Sequence, residues 1–109
     1  PSFLAFAADQ EEALTGDGAA SVVLPVTGFI TDGDSSGNNA VTLANGTTGM
    51  IKILYQKAET TSGQTTVITP ANLLGYSTIT FAEPGDGVTL YFNGSNWVVI
   101  ANQGGALGA

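Results

Sequence analysis

Val88-Thr89-Leu90-Tyr91-Phe92-Asn93-Gly94-Ser95-Asn96-Trp97-Val98-Val99-Ile100-Ala101 reads as two apolar strands joined by a four-residue polar turn. Both arms are filled with β-branched and aromatic residues, and Asn-Gly readily takes the backbone angles that a tight hairpin turn demands. The stretch predicts an antiparallel hairpin. On its N-terminal side, Glu83-Pro84-Gly85-Asp86-Gly87 is a strong turn, and residues 77–81 alternate as a further strand. Residues 65–69 predict a short strand. Thr69-Pro70-Ala71-Asn72-Leu73-Leu74-Gly75 carries an N-cap threonine, a proline at the first helical position and a terminating glycine, and so predicts one helical turn.

The longest strand candidate covers residues 50–57, where Ile51, Ile53 and Tyr55 alternate with Lys52, Leu54 and Gln56, giving one face more apolar than the other. Asn45-Gly46 signals a turn before it, residues 40–44 a strand, and residues 31–39 a polar loop. Residues 21–24 and 26–30 are β-branched runs, with Pro25 placing the second at a sheet edge or bend. Asp9 and Glu12 have capping-box spacing, which predicts a helical turn over residues 10–14 before Gly16-Asp17-Gly18 ends it. Val41-Thr42-Leu43 with Asn45-Gly46 echoes Val88-Thr89-Leu90 with Asn93-Gly94, a pattern that shared turn chemistry explains as readily as duplication. The expectation is an all-β fold, a compact sandwich or barrel-like body of about seven to eight short strands with one or two single-turn helices. Residues 1–18 read as an N-terminal arm and lead-in, 19–102 as the β domain, and 103–109 as a flexible tail that orders only against a neighbour.

At 109 residues the chain suits one domain. It has no arginine, histidine or cysteine, and Lys52 and Lys57 are its only cationic side chains. A nucleophile and base pair of the Ser-His or Cys-His kind cannot be built. Asp17, Asp32, Asp34 and Asp86 sit in glycine-rich turns, where solvation keeps carboxylates ordinary. The reading is a non-enzyme without a cofactor. A net charge of -7 opposes nucleic acid, because phosphate contacts rely on Lys and Arg. No apolar run is long enough for a membrane helix, and the first residues lack the basic flank of a secretory signal, so a soluble product of the cytoplasm, complete after loss of an initiator Met, is expected.

Four local features carry possible chemistry. Asp32-Gly33-Asp34-Ser35-Ser36-Gly37 opens like a calcium loop, but Leu43 stands where its final bidentate glutamate belongs, so a plain surface loop is the competing reading. Asn45-Gly46-Thr47 and Asn93-Gly94-Ser95 match the glycosylation sequon, yet both fall on turn signals. Trp97 with Tyr91 and Phe92 could stack a sugar, although cross-strand aromatics more often form core or subunit contacts. Phe3, Leu4 and Phe6 in the opening segment are hard to bury within so small a body, and are expected as anchors on a partner; the alternative is a first edge strand.

Residues 43–103 resemble a sequence type that recurs in small virion proteins of tailed bacteriophages, especially phages of cyanobacteria and marine bacteria. The resemblance is carried by Gly49-Met50-Ile51-Lys52-Ile53, Val67-Ile68-Thr69-Pro70-Ala71-Asn72-Leu73, Thr78-Ile79-Thr80-Phe81, Gly85-Asp86-Gly87-Val88-Thr89-Leu90 and Asn96-Trp97-Val98-Val99-Ile100, with Ala13-Leu14-Thr15 and Ala19-Ala20-Ser21-Val22 similar to the usual lead-in. It implies a β-rich module that assembles as a homotrimer and is displayed on the virion. A short chain with an apolar arm is more similar to a capsid decoration, or cement, protein, whose partner is the major capsid protein on the outer capsid surface. A head- or tail-fibre adhesion module that binds host-surface glycans is the alternative.

Overall fold

Alternation of large apolar residues with small polar ones extends most of this chain into strands. The computed structural model describes residues 7–32, 38–60 and 63–109. Among them are ten strands: β1 (Glu11–Thr15), β2 (Gly18–Ala20), β3 (Val26–Ile30), β4 (Asn39–Leu43), β5 (Ile51–Ala58), β6 (Thr66–Pro70), β7 (Thr78–Phe81), β8 (Gly87–Phe92), β9 (Trp97–Gln103) and β10 (Ala106–Gly108). They form two five-stranded sheets, the first in the order β1-β3-β5-β8-β9 and the second in the order β10-β7-β6-β4-β2.

The path between the sheets is unusual for so short a chain. From β1 to β6 every strand lies in the opposite sheet from the one before it, and each of β1 to β4 pairs in parallel with the strand two places later. The chain thus wraps three times around one core: β1 and β2 make the first coil, β3 and β4 the second, β5 and β6 the third. The remainder is antiparallel, with β7 on β6, the β8–β9 hairpin on β5, and β10 closing onto β7.

The core lies between the sheets. Phe29, Leu54, Val88 and Leu90 of the first face Val41, Leu43, Ile68, Ile79 and Phe81 of the second, all of them buried. The rings of Phe29 and Phe81 meet across the gap with centroids 6.2 Å apart, within the range of favourable aromatic pairs. Alternation along each strand, with one face in the core, is what a two-layer β fold requires.

The predicted hairpin forms, and its turn is held by Asn93, whose Oδ1 accepts from the backbone N–H groups of Ser95 and Asn96, with Gly94 at φ 102°. Other expectations change. In place of a helical turn over residues 10–14 there is a 3-10 turn at Ala8–Gln10, followed directly by β1. Burying Leu14 on the core side of an extended strand outweighs the weak capping signal. Residues 69–75 form no helix: Pro70 ends β6, and Leu73 is buried in an isolated bridge to Trp97. Residues 21–24 are a bend rather than a strand, in which the Ser21 hydroxyl caps the N–H groups of Val23 and Leu24. Asn45-Gly46 joins strands of different sheets, so the echo with Asn93-Gly94 does not extend to a second hairpin. The stretch read as arm and lead-in holds β1 and the start of β2, and the stretch read as a flexible tail holds β10.

Candidate interaction surface

Strand β5 decides what the first sheet shows to its surroundings. Lys52, Leu54 and Gln56 point inward and are buried, which turns Ile51, Ile53 and Tyr55 outward. The more apolar face of this strand is therefore its outer face. Cross-strand register carries the pattern sideways, because Val26 and Thr89 flank Ile53, Tyr91 flanks Ile51, Val98 flanks Tyr91 and Ala101 flanks Thr89. Ile51 is 55% exposed and Ile100, at the β9 bulge, 63%. Among the described residues, no charged side chain stands on this face between β5 and β9 beyond Lys57 at its far end.

A polar bridge closes the β1 side. Glu11 Oε2 accepts from Lys57 Nζ at 2.9 Å and from the Tyr55 hydroxyl at 2.8 Å. These contacts, Lys57 first, hold the Glu11 carboxyl below its usual range and raise the Lys57 ammonium. The Tyr55 hydroxyl is pushed up by burial and by its bond to Glu11. To reach Glu11, the Tyr55 ring lies over Gly28, where a Cβ would come within 3.0 Å of it. Leaning that way, Tyr55 leaves an open depression of about 280 Å³ on its other side, floored by β8 at Gly87 and Thr89 and walled by Ile53, Ala101 and Gln103.

Behind this face lies a feature that the alternating pattern of residues 50–57 did not single out. Lys52 is fully buried, its Nζ donating to Leu24 O at 2.9 Å and to Thr27 Oγ1 at 2.6 Å. Thr27 Oγ1 in turn donates to Glu12 Oε1 at 2.9 Å, and that oxygen also accepts from Ser21 N–H. Burial pushes the Lys52 ammonium down to about 8, while the Glu12 carboxylate pulls the other way. The chain of contacts ties β1, β3, β5 and the bend before β3 into one unit. Lys52 and Thr27 at its centre have no exposed surface.

The remaining sequence candidates separate. Trp97 is wholly buried, packed edge-on against Phe92 with Nε1 donating to Ala44 O, and cannot present a ring to a sugar; Phe92 is buried with it. Of the three aromatics, Tyr91 remains at the surface. Phe3, Leu4 and Phe6 lie outside the described residues, as does the calcium-like stretch 33–37. Among the described residues no three acidic side chains are grouped as metal ligands, and no helix is long and apolar enough to cross a membrane. Asn45 and Asn93 are both exposed. In comparisons with models of known protein families and with curated proteins, the chain matches none.

Proposed function

We propose that this chain is a virion structural protein, a capsid decoration protein whose homotrimers bind the major capsid protein on the outer surface of a phage shell and stabilise it. The observation that carries the reading is the apolar outer face of the first sheet, uncharged beyond the Glu11–Lys57 pair at its β1 side. In a chain of net charge -7, exposed Ile51, Tyr91 and Ile100 share one face of a rigid two-layer body. Contiguous apolar surface of this kind marks contact with another macromolecule. Three copies on one trimer attach at high effective concentration once the first contact forms, so individually weak contacts sum to firm attachment. An acidic, arginine-free composition suits the outside of a shell, away from packaged DNA. The fibre-adhesion alternative loses its best aromatic platform with the burial of Trp97.

Mixing the purified protein with undecorated capsids tests the proposal. Saturable binding at a fixed copy number and a rise in the temperature at which shells break are expected. Absence of attachment, combined with selective binding on a glycan array, overturns it.

A further inference from the structure

The geometry points to the outer face of the first sheet as a receiving surface for residues 1–6 of a neighbouring copy, whose main chain runs along the open edge of β9 while one aromatic ring fills the depression beside Tyr55. This rests on the self-association in the reading above and names the surface that receives it.

Three observations converge. First, Pro1-Ser2-Phe3-Leu4-Ala5-Phe6 is uncharged in its side chains and dominated by Phe and Leu, matching the character of a face on which Ile51, Ile53, Val98 and Ala101 stand together. Secondly, among the described residues β9 ends the first sheet, and its seven residues, Trp97–Gln103, include no charge and no proline. Sheet edges left open to solvent are usually guarded by such residues, so an unguarded edge fits a strand that gains a partner on assembly. Bridging by residues 72–74 occupies that edge at Trp97 and leaves the part beyond it for an incoming chain. Thirdly, Ala101 is small enough for a side chain from an added strand to pass over it into the depression, whose volume of about 280 Å³ suits an aromatic ring.

The neighbour's segment is favoured over the chain's own by where each would arrive. The row across the outer face runs Glu11, Val26, Ile53, Thr89, Ala101. Strand β1, which follows a chain's own residues 1–6 in sequence, lies four strand spacings or about 19 Å from the β9 edge, and beside it stands the Glu11 carboxylate with Lys57 and Tyr55 drawn to it. Six extended residues reach about 20 Å, enough to touch the β9 edge with their first residue but not to lie along it. A neighbour's segment comes over β9 and meets apolar side chains at once.

The test uses the full chain, a chain lacking residues 1–6, and Thr89→Lys, which places a long charged side chain in the depression from an outward position, with Thr89→Val as the conservative control. Sedimentation is expected to find the full chain and Thr89→Val associated and the other two monomeric, all with the same circular dichroism. A labelled Pro-Ser-Phe-Leu-Ala-Phe-Ala peptide is expected to bind the shortened chain and to lose about tenfold to hundredfold in affinity when Thr89→Lys is added, the worth of one buried aromatic side chain. Equal association of all four proteins, or no peptide binding, overturns the inference. A full chain that stays monomeric yet excludes the peptide overturns it in favour of docking on its own face. Capsid attachment without peptide binding removes this inference alone, whereas peptide binding without capsid attachment removes only the decoration reading.

Discussion

Lys52 shows how much of this protein turns on single side chains. An ammonium with no exposed surface is tolerated because Leu24 O, Thr27 Oγ1 and the Glu12 carboxylate surround it. Its folded value of about 8 lies below the unfolded value near 10.5, so between those limits the unfolded chain binds more protons and stability rises with pH. Urea unfolding is expected to show roughly 2 to 3 kcal/mol more stability at pH 10 than at pH 7 from this group, and Lys52→Met should flatten the dependence. A stability that falls over that window would refute the assignment. Gly46 is the second such position. Its φ is not positive, and its role is space: a Cβ there would lie 2.8 Å from the Trp97 ring. Gly46→Ala should cost about 1 to 3 kcal/mol by overpacking, read as a lower urea midpoint with the fluorescence of Trp97, the sole tryptophan. The turn expected at Asn45-Gly46 falls instead at Thr48-Gly49, closed by Met50 N–H on Thr47 O with Gly49 at φ 91°; that Gly46 makes room for a ring across the molecule was not legible, since sequence spacing carries no information on which strands meet.

At the scale of elements, what could be read in advance was local. The β8–β9 hairpin and the strand at β5 follow from period-two patterning and Asn-Gly chemistry, both of which act within a few residues. The orientation of β5 was not readable, because a lysine was the last residue expected to face inward. Leu54 between Lys52 and Gln56 looked like the polar face, and only the satisfied bonds of Lys52 and the pairing of Gln56 with Thr66 make burial possible. Helical signals at residues 10–14 and 69–75 failed for a common reason: a single turn contributes little, and parallel pairing with a distant strand contributes more. The candidate surface stayed hidden with the orientation of β5. Element position also sets local stability. Amide exchange should be slowest in β5 and β6, each flanked by a strand on either side, and faster in β1, β2 and β10 at the sheet margins. Equal protection of β2 and β6 would contradict this.

For the whole molecule, the governing fact is the threefold wrap from β1 to β6. Parallel pairs between successive coils bring together residues far apart in sequence, such as Glu11 with Val26 and Val26 with Ile53. Loop closure must be completed before those pairs stabilise anything, so refolding from urea is expected in the millisecond to second range typical of nonlocal β topologies, and microsecond refolding would rule the topology out. The wrap has a mechanical consequence as well. Its first coil supplies the outermost strand of both sheets at one end of the body. Tension entering through the N-terminus would load those backbone bonds in succession, as in a zipper, and release the protein coil by coil; a pull at the C-terminus would first meet the three-residue edge strand β10 and then the antiparallel cap.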